Sequence, residues 1–184
     1  MNLSLEQIQK CMLSCGILNY NEMSFYKFLL SQLNDTLSSA AQSTTKPTSS
    51  WLSENEQHLL AIITSLGMLQ LRDENTLDTV CSLLKANRDR SKLIVSFVQT
   101  CGALNYTPKS SSDFAQIIAS VTESAFNLGD DRDRANFLNY VWSLCALNKA
   151  DQYLIASVLE KKFFDSILNG NLIYDIRRIR FNIL

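Results

Sequence analysis

Glycine and proline are scarce in this chain, five and two among 184 residues, which is too few turn-formers for an all-β protein. Histidine is scarcer still. His58 stands alone, and every mechanism that needs two imidazoles is excluded. No apolar run approaches the ~18 residues required to cross a bilayer. The first residues have neither the basic-then-apolar layout of a secretory signal nor the arginine-rich character of a transit peptide. The expectation is a chain that stays where it is made, or a piece of a longer one. The five cysteines are odd in number and scattered through apolar stretches, which points to reduced thiols in a reducing compartment.

What is present suits a globular protein: 46% hydrophobic and 19% charged residues, enough to bury a continuous core. The net charge of -1 hides an asymmetry. Residues 1–80 carry four basic and eight acidic side chains, whereas residues 81–184 carry thirteen and ten. A polyanion would be drawn, weakly, to the second part.

The organising feature is an internal repeat. Ser14-Cys15-Gly16-Ile17-Leu18-Asn19-Tyr20 recurs as Thr100-Cys101-Gly102-Ala103-Leu104-Asn105-Tyr106. Weaker copies are Ser65-Leu66-Gly67-Met68-Leu69-Gln70-Leu71 and Ser143-Leu144-Cys145-Ala146-Leu147-Asn148-Lys149. The anchors are separated by 51, 35 and 43 residues. Upstream of each, apolar residues follow offsets 0, 3, 4, 7 and 10: Ile8, Cys11, Met12, Cys15, Leu18; Leu59, Ile62, Ile63, Leu66, Leu69; Ile94, Phe97, Val98, Cys101, Leu104; Phe137, Tyr140, Val141, Leu144, Leu147. That spacing is one face of an α-helix and not of a strand. Offset 8 is always small, Gly16, Gly67, Gly102 and Cys145, which lets a neighbouring helix approach closely.

A second helix is expected after each anchor, opened by Asn21, Asp73, Ser112, and Asn148 with Asp151 three residues on. Its apolar face is Phe25, Phe28, Leu29 and Leu33 in the first copy, Leu77, Val80, Cys81 and Leu84 in the second, and Phe114, Ile117, Ile118 and Val121 in the third. Ser53-x-x-Glu56 reads as a capping box opening the first helix of the second copy. Gly129 and Gly170 read as C-terminal caps. A helical hairpin cannot bury its apolar face alone, so stacking is required. The fold expected is all-α, an α-solenoid of four hairpins plus a truncated fifth. Hairpin 1 spans 1–37, a flexible Ser/Thr-rich insertion 38–50, hairpins 2–4 residues 51–171, and the start of a fifth hairpin 172–184.

Catalytic readings fail on the residues. His58, in Glu56-Gln57-His58-Leu59-Leu60, has no nucleophile elbow to serve, and no two glycines lie within ten residues of one another to cradle a phosphate. A zinc site built on Cys11, Cys15 and His58 competes with a simpler reading: Cys11, Cys15, Cys81, Cys101 and Cys145 all occupy apolar or small packing positions. Neither an enzyme, nor a cofactor, nor a small-molecule substrate is expected.

A binding surface remains. Asn87-Arg88-Asp89-Arg90-Ser91-Lys92 and Asp130-Asp131-Arg132-Asp133-Arg134 precede successive first helices. Their arginines should line up along one edge and follow a phosphate backbone, or Arg88/Asp89 and Arg132/Asp133 neutralise each other as surface pairs. Arg177, Arg178 and Arg180, with Lys161 and Lys162 nearby, have less acidic compensation; Lys149 adds a cation at an anchor. Tyr20 and Tyr106 either stack on bases or shield the hairpin ends. Asn19, Gln70, Asn105 and Asn148 repeat an amide that either reads bases or caps helices.

Phe137-Leu138-Asn139-Tyr140-Val141-Trp142-Ser143-Leu144-Cys145-Ala146-Leu147 resembles the Trp-Ser-Leu helix of the FAST kinase domain-containing family. Ser157-Val158-Leu159-Glu160-Lys161-Lys162-Phe163-Phe164 is similar to that family's Val-Leu-x-x-x-Phe segment, and Arg178-Ile179-Arg180-Phe181-Asn182-Ile183-Leu184 resembles the start of its next helix. The likeness is strongest over 130–184; upstream, the hairpins resemble the family's octotricopeptide-like repeats. The resemblance implies a mitochondrial matrix protein that binds organellar RNA and regulates its processing or stability, and a C-terminal RAP domain absent from this chain. Trp142, flanked by core positions 141 and 144, is expected to pack inside. Single-stranded RNA is thus the expected partner, and no membrane. The competing reading is a HEAT- or armadillo-like scaffold for protein segments.

Overall fold

A computed structural model describes residues 3–42, 48–121 and 125–169. Among these residues the chain is helical throughout and contains no strand: α1 (Leu5–Leu18), α2 (Met23–Gln42), α3 (Thr48–Met68), α4 (Glu74–Lys85), α5 (Ser91–Ala103), α6 (Ser111–Ser120), α7 (Asp131–Ala146), α8 (Gln152–Leu159) and α9 (Lys161–Asn169). Short polar side chains start several of them. Ser4 accepts from the Gln7 amide in a full capping box, and Asp73, Asp130 and Asp151 accept from the first-turn amides of α4, α7 and α8.

The helices sort into two series. α1 packs on α3, α3 on α5 and α5 on α7, while α2 packs on α4 and α4 on α6. One apolar core runs through both, from Leu5 to Val158. The offsets of the repeat account for it: Ile8, Met12, Leu59, Ile62, Ile63, Leu66, Ile94, Phe97, Val98, Cys101, Phe137, Tyr140, Val141 and Leu144 are all buried. Cys11 and Leu69 are half-buried; Leu18 is 75% exposed, and Ser14 on the same helix is exposed as well. Their counterparts Ser65, Thr100, Ser143, Leu104 and Leu147 are buried, because each of those helices has a first helix before it and α1 has none among the described residues.

Small residues set how closely the first helices approach. A Cβ on Gly67 would stand 3.3 Å from Thr100 Oγ1, and one on Gly102 only 2.6 Å from Ser143 Cβ. Thr100 Oγ1 also donates to the Ile63 carbonyl at 3.0 Å, which satisfies a buried hydroxyl and fixes the register of α5 on α3. The corner of one hairpin therefore rests on the Ser/Thr of the next.

Several local expectations are corrected. Of the 38–50 stretch, residues 38–42 continue α2 and 48–50 open α3; serine and alanine are adequate helix formers once one face packs. The early start of α3 puts Ser53 and Glu56 inside it, and Ser53 Oγ bonds the Ser49 carbonyl instead of capping. α2 opens on Glu22, whose carbonyl takes the Phe25 and Tyr26 amides, not on Asn21. Its buried face is Tyr26, Leu29, Leu33 and Leu37, with Phe28 47% exposed; the Tyr26 hydroxyl donates back to the Tyr20 carbonyl. α6 is flanked by Ser110, not Ser112. Gly129 lies in the turn before α7 and ends no helix. The second helix of the fourth hairpin is broken at Glu160, which is extended (ψ 134°) between α8 and α9. The turn lets Phe163 reach Phe137, 5.9 Å between ring centroids. Gly170 and the segment 172–184 lie outside the described residues.

Candidate nucleic-acid interface

Each first helix ends in the same corner. Asn19, Gln70, Asn105 and Asn148 have φ of 49°, 54°, 46° and 54°, the left-handed conformation that asparagine tolerates best after glycine. The residue after each sends its amide back five positions: Tyr20 to Cys15 at 3.0 Å, Leu71 to Leu66 at 2.9 Å, Tyr106 to Cys101 at 2.9 Å and Lys149 to Leu144 at 2.8 Å. These are Schellman closures, which satisfy carbonyls orphaned at a helix end. The repeated amides are therefore explained by capping. Gln70, the one residue of the four that is not asparagine, also donates Nε2 to the Gly67 carbonyl at 2.9 Å.

The two corner tyrosines differ. Tyr106 is buried, donates its hydroxyl to Asp78 Oδ1 at 2.8 Å and lies under Arg72, 5.0 Å from guanidinium carbon to ring centroid. Lys109 closes the same cluster, its backbone amide 3.0 Å from Asp78 Oδ1 and its Nζ 3.4 Å from Oδ2. Burial first, then the Asp78 carboxylate, push the Tyr106 hydroxyl above its usual pKa. This ring shields a hairpin end and does not offer a face to a base. Tyr20 is half-exposed and meets Phe25 edge-on at 5.8 Å.

The arginine pairs split in the same way in both linkers. The second arginine of each turns inward. Arg90 donates to Glu56 Oε2 at 2.8 Å and Ser53 Oγ at 2.6 Å, clamping the start of α5 to α3. Arg134 donates to the Leu128 carbonyl at 2.9 Å and to Asp131. The two terminal nitrogens of each guanidinium are engaged, while each Nε is buried without a hydrogen bond. The first arginine of each pair is outside: Arg88 and Arg132 are exposed, as is Lys92. The neighbouring aspartates are engaged elsewhere, Asp130 and Asp133 with backbone amides and Asp89 3.6 Å from Arg90 Nε.

α5 and α7 run in the same direction, because Gly102 near the end of one meets Ser143 near the end of the other and Gln99 reaches back to the Asn136 carbonyl at 3.1 Å. Arg88, Lys92 and Arg132 consequently stand at one end of the hairpins. Lys161 and Lys162 are exposed at the start of α9, beside the Phe163 ring that meets Phe137; they fall toward that same end. Lys149 is exposed at the opposite, corner end. Arg177, Arg178 and Arg180 lie outside the described residues.

Trp142 is corrected by the structure: it is 50% exposed. It sits at offset 5, beyond the core stripe, where the other copies carry Leu13, Thr64 and Gln99. That mixed, partly polar column was the available signal. Leu13, Ile17 and Met68 are exposed as well, and sequence reasoning passed over them. His58 Nδ1 pairs with Gln9 Oε1 at 2.6 Å, and no group of three metal-ligating side chains exists among the described residues. No described helix is long and apolar enough to cross a membrane. Burial pushes the Cys81 thiol up to about 12 and the Cys101 thiol higher, which suits packing residues and not nucleophiles.

Compared with known families, residues 94–168 match the family model of FAST kinase-like protein, subdomain 1. The match begins well upstream of residue 130, where the likeness in the sequence becomes strong, and ends at 168. No curated protein and no solved structure matches the chain. Residues 94–168, which include the Phe137–Leu147 helix that carries the resemblance, are thus similar to subdomain 1 of the FAST kinase-like proteins.

Proposed function

We propose that this chain is an RNA-binding α-solenoid segment of a mitochondrial matrix protein that regulates RNA processing or stability, and that it binds without catalysing. The observation that carries this reading is the FAST kinase-like match over 94–168, which includes the exposed cations Arg132, Lys149, Lys161 and Lys162 and begins just after Arg88 and Lys92. Single-stranded RNA would run across the linker ends of α5 and α7, its phosphates contacted by Arg88, Lys92, Arg132, Lys161 and Lys162. Lys149 would act from the corner side, and Arg177, Arg178 and Arg180 would extend the basic surface. Arg90 would hold α5 on α3, and Arg134 would fix the turn before α7, instead of touching phosphate.

The test is salt. Binding of a single-stranded oligonucleotide to the full chain should weaken linearly in log–log form, with a slope of roughly -0.7 per phosphate contacted. A flat or absent response would overturn the proposal. One feature favours a protein-binding scaffold instead: the exposed apolar residues Leu13, Ile17, Met68 and Trp142 on the first helices. That reading predicts salt-insensitive binding, abolished by Trp142→Ala and Met68→Ala.

A further inference from the structure

Successive first helices meet through the same positions of the repeat. Offset 5 of one faces offset 2 of the next: Thr64 Oγ1 on α3 lies 2.9 Å from Ser96 Oγ on α5. Offset 8 receives offset 6, as Gly67 receives Thr100 and Gly102 receives Ser143. Gly16, at offset 8 of α1, lies against Leu69, at offset 10 of the next copy. Offsets 5 and 8 therefore form the trailing side of a first helix, and offsets 2, 6 and 10 its leading side. Each end of the series leaves one such side open. The leading side of α1 is Lys10, Ser14 and Leu18, all exposed. The trailing side of α7 is Trp142 and Cys145, exposed as well. Large apolar side chains at the surface follow the same division: among the described residues all but Met68 belong to the first or the fourth hairpin, and none to the third.

We propose that a second copy of this chain lays its α1 on α7 of the first, repeating between molecules the contact that α5 and α7 make within one. A second copy is the occupant because this chain carries both halves of the contact: the leading side that fits α7 is the one that α1 leaves open. The register of the repeat then fixes which residues meet. Ser14 comes to Cys145 as Ser143 comes to Gly102, and Leu18 covers that corner as Leu69 covers Gly16. Lys10, whose described partner is the exposed Glu6 one turn back, comes over Trp142. Its ammonium there meets the face of an indole, the side chain that attracts cations most strongly. Cysteine is larger than glycine, but the corners are not equally tight. A Cβ on Gly16 would meet nothing nearer than 3.8 Å, so a corner with that spacing admits a side chain. The contact is head-to-tail, and each docking leaves one head and one tail free, which makes the assembly open-ended. It rests on the geometry of the repeat and not on RNA binding.

Sedimentation equilibrium of the full chain supplies the test. The weight-average mass should rise with concentration and pass the dimer without a plateau. Leu18→Asp blocks the head and Trp142→Asp the tail, and both side chains are exposed, so neither exchange reaches the core. Each variant alone should stay monomeric, whereas an equimolar mixture should form a dimer and nothing larger. Lys10→Ala should weaken association about threefold. A wild type that remains monomeric at every concentration overturns the proposal. So does a single variant that still dimerises, which would mean a two-fold contact, or a mixture that stays monomeric. If either variant folds poorly, Ser14→Cys serves instead. Mild oxidation should then give a ladder of multimers in which residue 14 is joined to Cys145 of another copy, and monomers alone would sink the idea.

Discussion

Gly102 and Ser143 are closer than any side chain on residue 102 would permit: a Cβ there would stand 2.6 Å from the Ser143 Cβ and 2.9 Å from its Cα. Gly16, at the equivalent place in the first hairpin, meets only Leu69 Cδ2 at 3.8 Å. The two glycines look alike in the sequence and differ in what stands over them.

Gly102→Ala should therefore destabilise the chain by about 1–3 kcal/mol through overpacking. Gly16→Ala should instead stabilise α1 by up to about 1 kcal/mol, since alanine is the better helix residue. Urea unfolding of the two variants checks the pair, and equal effects would refute the close approach of α5 and α7.

Arg90→Ala should cost roughly 1–2 kcal/mol, because it leaves Glu56 half-buried without its partner. The salt slope of RNA binding should not change. Arg132→Ala and Lys161→Ala should do the opposite, leaving stability within about 0.5 kcal/mol and shallowing the slope by about 0.7 for each phosphate that the variant no longer touches. Thermal melts and salt titrations of the same variants separate structural cations from those that touch RNA.

Asp73 caps α4 and also accepts from the Thr76 hydroxyl and the Asn34 amide. Burial opposes its ionisation, but these bonds outweigh burial and hold its pKa below 3.8. A carboxyl lowered by folding adds stability above its unfolded pKa and loses it as the pH falls through the folded value. Asp73→Asn should thus cost about 1 kcal/mol above about pH 5, with the gap closing below about pH 4. Unfolding at several pH values checks the sign: a gap that widened in acid would contradict it.

Gln70 holds a φ of 54° at a corner where glycine carries no penalty. Gln70→Gly should stabilise the chain by about 1 kcal/mol, less whatever its bond to the Gly67 carbonyl contributes. The same exchange at Asn105, a residue that suits this conformation, should gain less. Differential scanning calorimetry distinguishes the two.

The apolar offsets 0, 3, 4, 7 and 10 made the first helices and their buried faces legible, since helical period and burial are both local properties of the sequence. Capping at Asp73 was legible for the same reason, and so were the asparagine corners; Asn148, expected to open the fourth second helix, instead closes α7, and Asp151 caps α8. Helix starts were not. Ser53 and Glu56 carry the spacing of a capping box, yet α3 begins five residues earlier, and the two side chains instead receive Arg90 from the next hairpin.

The sequence by itself determined that this chain is helical, repeated, and built on small corner residues, because those features follow from residue types at fixed spacing. Tertiary structure alone decided which members of each look-alike set are used. It turned Arg90 and Arg134 inward and left Arg88 and Arg132 outside, buried Tyr106 while Tyr20 stayed at the surface, and exposed Trp142. Apart from Arg134, whose partners Leu128 and Asp131 belong to its own turn, these outcomes depend on which neighbouring helix stands over each position, and contacts between residues about thirty or more apart are not written in any local pattern.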